Sequence, residues 1–93
     1  MKAHARHILV ETEQAAQELK RRLASGADFA TLAREHSQCP SAEDGGDLGE
    51  ITPGEMVREF DNIAFFAEVG RTHGPVKTPF GYHLIEVLER SES

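Results

Sequence analysis

His7, Cys39 and His83 are the residues of this chain whose types could do chemistry together. A cysteine beside a histidine can act as nucleophile and base. A histidine–cysteine set can also hold a metal. Two strand histidines can instead converge with apolar residues on a binding site for an apolar group. Spacing separates these options. The chain has five histidines, His4, His7, His36, His73 and His83. His4 and His7 lie on a stretch that reads as a strand, where an odd spacing sends them to opposite faces. "HSQC" places His36 near Cys39 at a predicted helix end, but no second pair with ligand spacing accompanies it. No metal is expected. Cys39 follows a predicted helix C-terminus and precedes the acidic "SAEDGGD". Both features oppose a thiolate, so Cys39 is expected to be a structural or hydrogen-bonding thiol. The third option draws on apolar residues as well. Met56 and Phe60 have the spacing of one helix face, Leu48 sits in a short predicted strand, and Phe80 leads into the last strand.

The elements that must position these residues are legible from periodicity. His7-Ile8-Leu9-Val10 is an apolar run of strand length, within a strand over residues 4–10. Thr12 reads as the cap of a helix whose apolar face carries Ala15, Ala16, Leu19 and Leu23, with Gly26 ending it. Asp28 caps a second helix, with Phe29, Leu32 and Ala33 inward, ending near His36 and Ser37 ahead of Pro40. The turn-rich "SQCPSAEDGGDLGEITPGE" holds a short strand at Leu48 to Ile51. Helical spacing returns with Met56, Phe60, Ile63 and Ala64, and extends to Phe66. Short and long strands follow near Val76 to Thr78 and over Tyr82 to Leu88. The order is β-α-α-β-α-β-β, an α+β arrangement of helices on a small, mostly antiparallel sheet. Ala5, His7 and Leu9 share one face of the first strand; Gly81, His83, Ile85 and Val87 share one face of the last. Both strands carry aliphatics on both faces, as central strands do. If they are neighbours, the imidazoles lie side by side.

Composition bounds the rest. The 93 residues fit one domain, residues 1–93, with 39% apolar and 28% charged residues. The formal net charge of −6 argues against general nucleic-acid binding, which needs a basic surface. No apolar stretch approaches the roughly 18 residues of a membrane span, and "MKAHARHILVETEQ" is not a signal peptide. A cytoplasmic location is the expectation. One cysteine forbids an internal disulfide.

Four segments in order, "HILV", "GADFATLAREHSQCPSAEDGGDLGEI", "GEMVREFDNIAF" and "GPVKTPFGYHLIEVLER", closely resemble the parvulin family of peptidyl-prolyl cis/trans isomerases, most of all its small stand-alone bacterial members. The resemblance runs from about Ala5 to Arg90. It implies a parvulin-like half-barrel, a four-stranded antiparallel sheet wrapped by helices, with the first and last strands together in its middle. It implies that His7 and His83 are paired by hydrogen bonds beneath the active site, joined by Thr78. It places Cys39 at the active-site cysteine position. It assigns Leu48, Met56 and Phe60 to the pocket for the proline ring, with Phe80 lining the same pocket.

Rotation about an X–Pro bond has a barrier of roughly 18–20 kcal/mol and takes tens to hundreds of seconds unaided. It makes and breaks no bond, so the resemblance implies no cofactor. The expected route is non-covalent, favouring a twisted amide, on proline-containing polypeptide clients and by a monomer. One family branch prefers phosphorylated residues before proline and carries a basic cluster after the first strand. Here that connection is "VETEQ", with Glu11 and Glu13, so a phosphate would be repelled; an apolar residue before proline is expected instead. The rival reading is a non-catalytic peptide-binding or chaperone module on the same fold. A purely structural protein would leave the histidine pair without a purpose.

Overall fold

Strand β1 (Lys2–Val10) and strand β4 (Gly81–Ser91) pair along almost their whole lengths, from Lys2 against Ser91 to Val10 against Tyr82. In this computed structural model, which describes residues 1–91, they form the centre of an antiparallel sheet. Strand β2 (Asp47–Ile51) flanks β1 and strand β3 (Thr72–Thr78) flanks β4, giving the order β2-β1-β4-β3. The central position of β1 and β4 follows from their composition: aliphatics on both faces must be covered on both faces.

Two layers of helix provide that cover. On one face Ile8, Val10 and Leu84 pack with Ala16 and Leu19 of helix α1 (Glu13–Ala24) and with Phe29, Leu32 and Ala33 of helix α2 (Phe29–His36). Both helices start at the residues their sequences indicate. The Thr12 side chain accepts from the Ala15 N–H, and the Asp28 side chain accepts from the Thr31 N–H. On the other face Ala3, Ala5, Ile85 and Val87 pack with Ile51 and with Phe60, Ala64 and Phe65 of helix α3 (Arg58–Phe66). This second face carries both histidines. Arg90 of β4 donates to the carbonyls of Ile63, Ala64 and Ala67, closing the C-terminal end of α3 onto the sheet.

Three details differ from the sequence reading. First, a short 3-10 helix (Pro40–Asp44) follows α2, so Cys39 caps its start as well as trailing the α-helix. Second, Met56 is not on α3. The Glu55 carboxylate accepts from both the N–H and the hydroxyl of Thr52, and the Glu55 N–H returns to the Thr52 carbonyl. That closed turn, with Gly54 at φ +93°, holds the chain out of helix until Val57 caps α3. Met56 and Phe60 therefore converge from a turn and a helix, not from one helical stripe. Third, Phe66 leaves the core and is 79% exposed. At about 100° per residue it lies roughly 120° around the helix from Phe60.

Candidate active site

His7 sits mid-strand on β1, where its main chain is clasped by the glycine-rich loop ahead of β2. The His7 N–H donates to the Gly46 carbonyl at 2.9 Å. Gly46 has φ +86°, and a Cβ there would stand 2.3 Å from the His7 carbonyl oxygen. Only glycine meets both demands. The same loop turns Ser41 inward, so that its Oγ lies 3.1 Å from His7 Nε2. A second clasp, Gln38 N–H to the Leu9 carbonyl at 2.8 Å, brings the Cys39 segment against the same strand.

His83 is the counterpart on β4. Leu9 pairs with His83 and His7 with Ile85 across the two strands, so the imidazoles are diagonal neighbours on one face. Their rings stack at 5.2 Å between centroids, and their Nδ1 atoms are 3.0 Å apart. His83 Nε2 lies 2.7 Å from Thr78 Oγ1, and Thr78 Oγ1 also accepts from the Phe80 N–H. Thr78 is brought there by the tight β3–β4 turn, in which Thr78 pairs with Gly81.

The result is one chain of hydrogen bonds: Ser41, His7, His83, Thr78. Its proton count is constrained. A single N–H lies between the two Nδ1 atoms, so one ring donates and the other accepts. With both rings neutral the chain runs either from the Ser41 hydroxyl to Thr78 or from the Thr78 hydroxyl to Ser41, and every ring nitrogen is satisfied in both senses. A second proton would set N–H against N–H. Burial, reinforced by His83, lowers the pKa of His7 to about 4. Burial also lowers His83, opposed by the charge of Glu59. Both imidazoles are thus neutral near pH 7.

The apolar part of the site stands on this floor. The Phe60 ring meets His7 edge-on at 5.5 Å and His83 edge-on at 6.0 Å. Leu48 and Met56, both partly exposed, pack against the same buried cluster. The structure therefore brings together His7, His83, Thr78, Phe60, Leu48 and Met56. The other two expected residues, Cys39 and Phe80, stand outside that buried assembly. Cys39 is a partly exposed free thiol, and among the described residues no hydrogen bond joins its sulfur to either imidazole. Phe80 is 68% exposed at the β3–β4 turn, outside the buried cluster, tied to the site through its N–H on Thr78. Among the described residues no three His, Cys, Asp or Glu side chains come together as metal ligands.

Two residues of the site were not found from sequence. Ser41 takes the fourth ring nitrogen, left over once the imidazoles and Thr78 are matched. Counting nitrogens shows that a partner is needed, but nothing in the spacing of Ser41 points to it. Glu59 acts on His83 by charge alone, from the exposed side of α3.

The PPIC-type PPIase (rotamase) domain family matches residues 4–89 of the chain. Foldase protein PrsA of a Geobacillus species is 50% identical over 92 residues, covering 98% of this chain and 33% of the relative. Chaperone SurA of Thiobacillus denitrificans is 44% identical over 98 residues, covering 96% of this chain and 22% of the relative. The chain thus spans a third or less of these relatives. The solution structure of NmPin, a parvulin of Nitrosopumilus maritimus, superposes with a TM-score of 0.85 at 39% identity, covering 95% of this chain and 96% of that one.

Proposed function

Because this chain belongs to the PPIC-type peptidyl-prolyl cis/trans isomerase family and has the parvulin fold, we propose that its own site turns X–Pro bonds by a non-covalent, twisted-amide route. The observation that carries this is the neutral His7–His83 pair, buried and fully hydrogen-bonded, directly beneath the Phe60 ring.

The partly exposed Leu48 and Met56 offer the surface of the apolar seat for the proline ring, with the fully buried Phe60 ring backing them. Holding the ring leaves the preceding carbonyl as the part that swings. The imidazole floor, locked by Ser41 and Thr78, keeps the seat rigid and dry while this happens. Cys39, a partly exposed thiol on the segment clasped to β1, is assigned the lesser role of adjusting the polarity met by the carbonyl. Lowering the barrier by about 5 kcal/mol would raise the rate several thousandfold. Each step is a rotation, with no bond made or broken.

The clients are proposed to be flexible proline-containing segments with an apolar residue before proline, met by a monomer. Glu11 is exposed and Glu13 stands in the first turn of α1, so the connection after β1 presents negative charge to any phosphate. Arg6 is already engaged, by Glu86 at 2.9 Å and by the face of Phe29. A non-catalytic peptide-binding or chaperone module is the second reading, and the Thiobacillus relative is named a chaperone. The partly exposed Leu48 and Met56 favour it, because they could hold a segment without turning it. A cytoplasmic location belongs to the same proposal, and fractionation with an antibody to the chain tests it.

The test is NMR exchange spectroscopy on an Ala-Leu-Pro-Phe peptide with catalytic amounts of protein. Cis–trans exchange peaks that vanish with Phe60→Ala support isomerisation. Shifted peptide signals without exchange support the binding module.

A further inference from the structure

Helix α3 has an outer face as well as an inner one. Phe60, Ala64 and Phe65 are buried against the sheet, while Arg58, Asn62 and Phe66 follow one another at helical spacing on the exposed side. Between this stripe and the Thr52–Met56 turn lies a groove of about 410 Å³. Met1, Pro53, Met56, Phe65 and Phe66 form its apolar lining, with Asp61 and Asn62 beside them. Asp61 ties the turn to the helix, its Oδ2 accepting from the Gly54 N–H at 2.8 Å. A single exposed aromatic ring needs no explanation. Here the exposed ring of Phe66 borders a formed groove, and that groove shares Met56 with the apolar cluster around Phe60.

We propose that this groove is a second subsite for the client polypeptide, taking an apolar side chain from the segment that flanks the proline. Met56 is the wall common to both subsites. The inference rests on reading the Phe60 cluster as the proline seat. Continuity selects the occupant. An extended segment advances about 3.3 Å per residue and returns its side chains to one face at every second residue, so side chains two or four residues from the proline are the ones placed to meet a groove that shares Met56 with the proline seat. The charges suit an extended segment too. Arg58 lines the same groove and Asp61 faces it from the next turn of the helix, so neither sign of client charge is favoured. An uncharged chain with an apolar side chain fits such a lining.

The test compares two synthetic peptides of about 13 residues, each with Ala-Leu-Pro at its centre. One carries phenylalanine two residues after the proline and four residues to either side, the other serine at those positions. Both are titrated by NMR into the wild-type chain and into Phe66→Ser, a change at an exposed position that the core does not feel. The phenylalanine peptide should bind the wild type about fivefold tighter, as burial of part of a ring gives. In Phe66→Ser that preference should disappear, while turnover of Ala-Leu-Pro-Phe stays within about twofold of wild type. Equal affinity of the two peptides for the wild type would overturn the proposal, as would an undiminished preference in Phe66→Ser. So would sedimentation of the wild type as a dimer that Phe66→Ser breaks, because a second copy would then fill the groove. Failure of the wild type to turn over the tetrapeptide would strike the isomerase reading instead; the groove is still judged on the binding difference.

Discussion

The Nδ1 atoms of His7 and His83 lie 3.0 Å apart, although the residue directly across the strands from His7 is Ile85 and from His83 is Leu9. The pair is diagonal, and a diagonal contact of this kind exists only at the register these strands adopt. A slip by one residue would turn one imidazole to the opposite face. The hydrogen bond therefore reports register, burial and proton count at once.

Acid should weaken the fold before its carboxylates titrate. His7 has its pKa lowered to about 4 by burial and by His83, and His83 is lowered too. The unfolded chain, with imidazoles near 6.5, then binds more protons than the folded one. Stability is complete above about pH 6.5 and falls as the pH drops toward 4. For His7 the whole effect is at most about 3 kcal/mol. Urea unfolding followed by circular dichroism at pH 7.0, 5.5 and 4.5 measures it. A flat profile over that interval would show that the imidazoles accept protons without cost.

Ser41→Ala removes the only described partner of His7 Nε2. A buried polar group left unsatisfied costs about 1–3 kcal/mol. The expected loss is at the lower end, because Ser41 is only partly buried and water can follow. Nitrogen NMR of the imidazoles should show His7 Nε2 shifted in the variant. An unchanged shift would mean that the serine contact does not set the tautomer.

Gly46→Ala combines two penalties. The backbone is in the left-handed region, and the new Cβ would meet the His7 carbonyl oxygen at 2.3 Å. The loop must lift from β1, at an expected cost of about 2–4 kcal/mol. Because the loop carries Ser41, isomerisation should fall as well. Thermal unfolding beside the exchange assay checks both. Near-wild-type behaviour would show that the loop is not fixed at His7.

Cys39→Ser and Phe60→Ala should separate the routes. Phe60 is fully buried, and its truncation should cost about 3–5 kcal/mol with loss of turnover. Phe60→Leu retains apolar volume, folds more stably than the alanine variant, and should still turn over poorly because the ring edge above the imidazoles is gone. Cys39→Ser should retain substantial activity. Near-complete loss in a folded Cys39→Ser protein would count against the non-covalent route.

Much of this was legible in the chain itself. Caps at Thr12 and Asp28, the buried faces of α1 and α2, and the two-sided apolar runs of β1 and β4 depend on residues within a few positions of one another, and local chemistry decides them. The match of four segments to a family then named His7, His83, Thr78, Leu48, Met56, Phe60, Cys39 and Phe80, of which the structure gathers the first six on one face of the sheet and leaves Cys39 and Phe80 outside the buried cluster. What local chemistry could not decide were contacts made across the sequence. Met56 read as helical because it shares the spacing of Phe60, yet the Thr52–Glu55 turn holds it outside α3. Phe66 read as an extension of the apolar helical spacing, yet the helix ends with it facing outward. Ser41 reaches His7 across 34 positions, by way of a glycine whose whole purpose is to let two backbones touch. Periodicity records which side of an element is apolar; which atoms complete a buried network depends on how distant segments are set against one another, and only the tertiary structure decides that.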